Sequence, residues 1–445
     1  VTALNRSALG LTSPPTRMVH VGLGAFHRAH QAWWTAAVDD EWGIAAFTGR
    51  RPDLARALAE QDGLYTLIER RPDGDLATVV PSIARAVDGA DLLSLARAVA
   101  DPATAVITLT VTEAGYSLLP DGRLDERDGA LQADWGGAPP RTVLGRLAFA
   151  LDARRRADSG PLAIVPCDNL PGNGEWLARG MREFAARRGD GLEDWIVESA
   201  SFVSTSVDRI TPRFSKADPA LAERLTGYAD AVPVTTEPFH DWVLSGEFPA
   251  GRPRWEDAGA RFVDDIVPYE RRKLWLLNGA HSLLAYLGIL RGHVTVADAV
   301  ADPVCRGAMS ELWMDARAIL EAEHLELAPY CDALRSRFAN PLIRHELAQI
   351  AMGGAAKLRA RVVPAALARR AEGSRPRGCA LAIAAWAVAV RSGLAGADPE
   401  SSALEATGGE LRGLVRVISP ELADDVAFLE AVGEEIADIG ESRQR

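Results

Sequence analysis

The stretch Met18-Val19-His20-Val21-Gly22-Leu23-Gly24-Ala25-Phe26-His27 decides the fold. Met18–Val21 reads as a short buried strand, and Arg28-Ala29-His30-Gln31-Ala32-Trp33-Trp34 reads as a helix. Strand, glycine turn and helix in that order form the context that a dinucleotide fingerprint requires. Gly22 permits the tight turn, and Gly24 lets the backbone approach a pyrophosphate. The third glycine of G-x-G-x-x-G is absent, with His27 in its place. On its own the pattern also describes an ordinary glycine turn, so the neighbouring segments have to decide.

Downstream, Ile44–Thr48 reads as a second strand, and the ribose-binding acid expected about 20 residues past the glycines is missing from its end. Gly49-Arg50-Arg51-Pro52-Asp53 stands there instead. Arg50 or Arg51 could face a 2′-phosphate, and Asp53 could reach a 2′-hydroxyl, which leaves NAD and NADP both open. Tyr65–Glu69 and Ala77–Val80 read as paired strands around the turn Arg71-Pro72-Asp73-Gly74. Ala105–Thr112 is the clearest buried strand and ends in Glu113-Ala114-Gly115-Tyr116. Leu162–Pro166 is another strand, delivering Cys167-Asp168-Asn169-Leu170. Phe202–Val207 leads into Asp208-Arg209-Ile210-Thr211-Pro212. Polar residues at the carboxyl ends of parallel strands lie where a doubly wound sheet holds its ligand. The βαβα alternation from 18 to about 207 predicts such a sheet.

Past about 235 the strands thin out. Alanine- and leucine-rich segments at 270–290, 296–323, 341–352, 363–371, 378–392 and 420–436 read as helices. The predicted organisation is a Rossmann-type α/β domain over residues 1–235 and a mainly helical domain over 236–445. Two domains also suit 445 residues.

The helical part opens on Tyr269-Glu270-Arg271-Arg272-Lys273-Leu274-Trp275-Leu276-Leu277-Asn278-Gly279-Ala280-His281-Ser282. As an α-helix, with Lys273 at zero, Glu270 falls at about 60°, His281 at about 80° and Asn278 at about 140°. A lysine near apolar residues is easier to deprotonate, because burial disfavours its charged form. It can then take a proton near neutral pH. An asparagine beside it can donate to a developing alkoxide, and a histidine can hold a neighbouring hydroxyl. That is equipment for oxidising an alcohol. A solvated basic patch, Arg271-Arg272-Lys273, on an amphipathic helix is the plainer alternative.

Composition narrows the partners. The chain is 48% hydrophobic and 25% charged, with a net charge of −12, which argues against nucleic acid and anionic membrane surfaces. Four widely spaced cysteines (Cys167, Cys305, Cys331, Cys379) read as reduced thiols rather than a disulfide or zinc framework. No apolar run reaches membrane-spanning length and no secretory h-region opens the chain, so a cytoplasmic protein is expected. A zinc mechanism needs His or Cys ligands at short spacing, and the eight histidines are scattered. No metal is expected.

Taken jointly, these blocks resemble the mannitol dehydrogenase family, the long-chain polyol-specific dehydrogenases and reductases. Gly22–Gln31 is similar to its cofactor loop, which also carries histidine in the third-glycine position. Thr110-Val111-Thr112-Glu113-Ala114-Gly115-Tyr116 resembles its T-V-T-E-x-G-Y strand end. Cys167–Leu170 with Asn173-Gly174, and Val207–Pro212, resemble two inner-site blocks. Lys273, Asn278 and His281 fit its K-x4-N-x2-H signature, and the resemblance runs from about residue 4 to about 370.

The resemblance implies metal-independent hydride transfer between a nicotinamide, NAD rather than NADP, and a polyol. It implies Lys273 as general base, Asn169 and Asn278 as the pair holding the reacting oxygen, and Glu270 as an aid to proton passage. It places His281, Asp208, Val207 and Lys357 on the substrate side. It places Gly22, Gly24, Phe26, His27, Arg28, Thr112 and Glu113 on the cofactor, beside Arg50 and Asp53. D-Mannitol, oxidised to D-fructose, is the favoured substrate. A hexuronate, as in fructuronate reductases, and mannitol 1-phosphate are alternatives, and a silent nucleotide-binding protein is the non-enzyme reading. Gln349, Gly353 and Ala355 depart from the family pattern at positions bearing on substrate choice. The expected assembly is a monomer or small homo-oligomer.

Overall fold

The computed structural model describes residues 2–38, 41–49, 51–119, 122–320 and 323–442. The chain divides into two compact units, Val1–Val267 and Pro268–Arg445.

Among the described residues of the first unit, six strands form one parallel sheet. They are β1 (Thr16–Leu23), β2 (Gly43–Thr48), β3 (Ile83–Val87), β4 (Val106–Leu109), β5 (Leu162–Pro166) and β6 (Ala200–Phe202). Their spatial order is β3-β2-β1-β4-β5-β6, the 3-2-1-4-5-6 order of a dinucleotide-binding sheet. The expected Rossmann-type architecture is therefore present. β2, β4 and β5 are buried throughout, as strands covered on both faces must be. Alternate residues feed separate cores. Met18, Ile44, Ala46 and Val106 pack on one face; Val19, Ala45, Phe47 and Ile107 pack on the other. Strand order reverses between β1 and β4, so a crevice opens at their carboxyl ends.

The expected strand at 202–207 is two strands. β6 pairs with β5, and after Val203 the chain leaves the main sheet as β7 (Ser204–Asp208). β7 runs antiparallel to β8 (Asp241–Ser245), which pairs in turn with β9 (Arg261–Phe262). This corrects the boundary expected at 235/236. Trp242 of β8 and the fully buried Trp255 pack with ring centroids 4.5 Å apart and planes tilted by 46°, and Trp255 Nε1 donates to Thr35 Oγ1 at 3.1 Å. The proline-punctuated stretch is thus held in the first unit, which ends at Val267.

In the second unit, the helix Gly279–Leu290 (α4 below) is buried along nearly its whole length, as a helix apolar on all sides must be. Numbering the helices that matter here in chain order, α1 is Ala25–Ala29, α2 is Gln31–Val38, α3 is Val267–Arg272, α4 is Gly279–Leu290, α5 is Pro303–Arg317, α6 is Gly354–Arg361 and α7 is Arg377–Arg391. α4 packs against α5 and α7. The expected helix over 296–323 breaks at Asp302, where Pro303 lacks an N–H and the Asp302 carboxylate caps α5 by accepting from Val304 N at 2.8 Å. Of the helix expected at 341–352, only Leu347–Ala351 forms. The helix expected over 270–290 is interrupted by a π-helical turn at Lys273–Asn278. All four cysteines are buried and free. No described helix is long and apolar enough to cross a membrane.

Candidate active site

The glycine loop closes β1 onto α1. Gly22 adopts φ +108°, and a Cβ there would lie 2.3 Å from the Thr110 carbonyl. Only glycine fits. Thr110 Oγ1 returns a hydrogen bond to the Gly22 carbonyl at 2.8 Å, so β1 and β4 are clasped at the crevice. Around Gly24 a Cβ would meet nothing nearer than the Gly22 carbonyl at 3.5 Å. The loop is tight beneath Gly22 and open at Gly24, which fits a pyrophosphate laid on the backbone.

His27, expected on the cofactor, is fully buried beneath the loop. Its ring stacks on that of His20 with centroids 3.3 Å apart and planes 10° from parallel. The third glycine of the usual pattern allows close packing of helix on strand; here two flat rings do the same. His20 is held by Thr108 Oγ1 at 2.8 Å and Thr110 Oγ1 at 3.0 Å, and burial pushes its pKa down to about 3. Burial, with His20 and Arg28 adjoining, also holds His27 well below the usual imidazole range. Both rings are neutral at physiological pH.

Arg28, likewise expected on the cofactor, is also buried. It donates to the carbonyls of Gly24, at 3.3 Å, and Val232, while Tyr65 Oη donates to its own carbonyl at 2.5 Å. Its side chain braces the loop from within. Phe26 is partly exposed and stacks on His30 at 5.1 Å. Asp53 is exposed in the first turn of Asp53–Glu60, 3.4 Å from Arg56; Arg50 lies outside the described residues.

At the end of β4, Thr112 precedes the short turn Glu113–Tyr116 and is exposed. The buried Tyr116 donates from Oη to Asp168 Oδ2 at 2.6 Å, joining β4 to the residues after β5. Asp168 Oδ1 accepts from Leu170 N at 2.9 Å and Asn173 Nδ2 at 3.3 Å. Asn173 then bridges to β7, donating to the Thr205 carbonyl at 3.1 Å and accepting from Thr205 N at 2.8 Å. This lattice fixes the segment carrying Asn169, whose side chain is exposed. Val207 and Asp208 are buried at the end of β7. The next residue, Arg209, donates to the Ala29 carbonyl at 2.8 Å and pairs with Glu69 at 2.7 Å in a buried salt bridge. The β7 end is thereby tied to α1.

In the second unit, α3 carries Glu270, and the π turn carries Lys273 and Asn278 at its two ends. All three are partly exposed. In an α-helix Lys273 and Asn278 would point about 140° apart. Hydrogen bonding of the i→i+5 kind, as from Gly279 N to the Leu274 carbonyl, makes a wider turn, in which positions i and i+5 diverge by a smaller angle than in an α-helix. The arc expected from an α-helix is corrected accordingly: the lysine–asparagine pair is closer than α periodicity allows. Two carbonyls of the turn receive side-chain donors from elsewhere. Trp313 Nε1 donates to Leu276 O at 2.8 Å, and Arg361 Nη1 donates to Asn278 O at 3.3 Å. Neither residue belongs to a motif. Their only sequence signal is that Arg361 sits four residues after Lys357 on α6, hence on the same face.

His281 follows on α4, buried, its ring 4.8 Å from Phe338 and 4.9 Å from His345. Burial holds it well below the usual imidazole range; His345, Arg337, Arg361 and Lys357 push the same way. It is neutral, and its Nε2 has no protein partner. Lys357 Nζ donates to Ile350 O at 2.8 Å, and burial lowers its pKa, with Arg361 adding and Asp398 opposing. Elsewhere, His293, Asp302 and Cys305 lie within ligand distance of one another, but Asp302 is occupied by Arg291, at 2.5 Å, and by capping α5.

Residues 16–257 match the mannitol dehydrogenase Rossmann domain, and residues 265–406 match the mannitol dehydrogenase C-terminal domain. The chain is 38% identical over 371 residues to a D-arabinitol 4-dehydrogenase of Ralstonia nicotianae, covering 81% of this chain and 80% of that protein. It is 36% identical over 387 residues to the D-mannonate oxidoreductase of Escherichia coli, covering 83% and 79%. Among solved structures it is similar to Pseudomonas fluorescens mannitol 2-dehydrogenase in ternary complex with NAD and D-mannitol. There the identity is 31%, the TM-score 0.79, and the coverage 97% of this chain and 93% of that one.

Proposed function

The chain belongs to the mannitol dehydrogenase family, and we propose that within it the protein oxidises D-mannitol to D-fructose. It is an oxidoreductase acting on a CH–OH group with NAD as cofactor. The observation that carries the reading is the π turn, which has Lys273 and Asn278 at its two ends. When bound, NAD accepts the hydride. Gly22 and Gly24 give its pyrophosphate a bare backbone, with Thr112 and Glu113 at the neighbouring strand end.

Lys273 Nζ takes the hydroxyl proton, and Glu270 passes it on. The amides of Asn278 and Asn169 donate to the oxygen as its charge grows. His281, neutral, offers Nε2 to a second hydroxyl. Lys357, Asp208 and Val207 select the rest of the chain of hydroxyls.

Lys273→Ala is expected to cost about 10²–10⁴-fold in polyol oxidation and to remove one ionisation from its pH profile. Added small primary amines should restore part of the rate. Should the same ionisation persist at the same midpoint, another group is the base, and Glu270 is the first to test.

Oxidation of a hexonate is a second reading, favoured by the basic surroundings of His281: Lys357, Arg361, Arg337 and His345. Arg359, two residues past Lys357, is paired with Glu400 at 2.9 Å. Turnover of mannitol, arabinitol and mannonate with NAD separates the two readings.

A further inference from the structure

Three features of the setting of Arg361 reach beyond its hydrogen bond to the π turn. First, its guanidinium meets two atoms across the end of that turn: Asn278 O at 3.3 Å and Ser282 Oγ at 3.1 Å. Ser282 Oγ itself donates to the same Asn278 carbonyl at 3.2 Å. Arginine, serine and carbonyl thus close a small ring around the asparagine's own backbone.

Second, the two segments touch at backbone level as well. A Cβ on Gly279 would come 3.3 Å from the Arg361 carbonyl, so the residue after Asn278 leaves room for α6 to end against it. Third, burying an arginine cation against neutral oxygens is costly unless its hydrogen bonds do something a hydrophobic residue could not. Arg361 meets a carbonyl and a hydroxyl rather than a carboxylate, and burial pushes its pKa down to about 10. It remains charged at neutral pH.

We propose that Arg361 is a positioning residue: reaching from the helix that carries Lys357, it clamps the Asn278 carbonyl and the Ser282 hydroxyl and so holds the Asn278 amide in its working orientation. The inference rests on the reading of Asn278 given above. A π turn is strained relative to an α-helix and survives where its surroundings hold it. Arg361 supplies that hold at the Asn278 end, as Trp313 does at Leu276. Because Lys357 and Arg361 share one face of α6, the clamp also fixes the spacing between Lys357 and Asn278.

The test is a double-mutant cycle on the full chain, with NAD and D-mannitol. The variants are Arg361→Met, Arg361→Lys, Asn278→Ala, and the pair Arg361→Met with Asn278→Ala. Arg361→Met should lower kcat about 10–10²-fold, the scale of a small misplacement of a catalytic group. KM for mannitol and NAD affinity, read by tryptophan fluorescence, should move less than about threefold. Arg361→Lys should fall in between, since its ammonium keeps a charged donor but ends a shorter stem than the Nη1 that serves both oxygens here. It also carries the test if the methionine variant fails to fold.

The paired variant should be no slower than Asn278→Ala alone, because the clamp acts through an amide that is already gone. If the two losses multiply, Arg361 does not act through Asn278 and the proposal is overturned. A loss confined to KM would make Arg361 a substrate contact instead, and would overturn it equally. Asn278→Ala turning over at the parental rate would sink the reading of Asn278 itself, and the clamp with it.

Discussion

The glycine loop of the first unit and the π turn of the second use their motif residues in opposite ways. In the loop, His27 and Arg28 are buried scaffolding: one stacks on His20, the other braces Gly24 and Val232. The loop presents backbone, and the motif side chains sit behind it. In the π turn, Lys273 and Asn278 are partly exposed. Their scaffolding comes from Trp313 and Arg361, far away in the sequence. A motif therefore records either what touches a ligand or what shapes the element that does, and its letters alone do not say which.

After Lys273→Ala, the next largest expected effect sharpens this contrast on the chemical side. Asn278→Ala and Asn169→Ala should each lower turnover about 10²–10³-fold, the loss associated with removing one donor to a developing oxyanion. NAD affinity should stay within about twofold. If turnover holds and NAD binding weakens, these asparagines belong with the scaffolding and the contrast fails.

His27 tests the other side. Removing a fully buried ring from a packed site costs about 3 kcal/mol, so His27→Ala should lower the unfolding free energy by that order and weaken NAD binding. Turnover of the NAD-saturated variant should remain within a few-fold. His27→Gly, which restores the usual G-x-G-x-x-G, should be no better, since the stack on His20 is lost either way. A glycine variant at least as stable as the parent would show that the ring stack contributes nothing.

Much of the fold was legible. Largely apolar runs at 44–48, 105–111 and 162–166, broken only by threonines, identify strands buried on both faces, and their alternation with helices predicts the parallel sheet. Three features were not legible, each for a local reason. The switch of sheets at Val203 depends on Trp242 and Trp255 holding the next strands in the first unit, a contact between residues far apart in sequence. The π turn has no composition of its own; Lys-x4-Asn fits an α-helix equally well until Trp313 and Arg361 are seen to hold its carbonyls. The role of His27 follows from the plane of a ring, which no residue pattern encodes. The break at Asp302-Pro303 is different, since a proline after a capping aspartate is a helix start that the sequence does display.

The smallest expected effect concerns protons, and it divides the histidines by what they do. Burial holds both His20 and His30 at about 3 in the folded chain, against about 6.5 unfolded. Between those values the unfolded chain binds a proton that the folded chain refuses, so the stability these residues contribute is present above about pH 6.5 and is lost as pH falls towards 3. Each contributes up to about 1.4 kcal/mol per pH unit in that window. Urea unfolding at pH 6.5 and pH 5 should therefore show a loss on acidification, and His20→Gln should reduce its slope by about one proton, whatever the variant's absolute stability. An unchanged slope would mean that His20 titrates normally and that the His20–His27 stack does not exclude protons as its burial requires. His281 is held low as well, by burial first. It is therefore already neutral above the ordinary imidazole value of about 6.5, so a rate that still rises with pH there reports a group other than His281, and Lys273→Ala decides whether that group is the lysine.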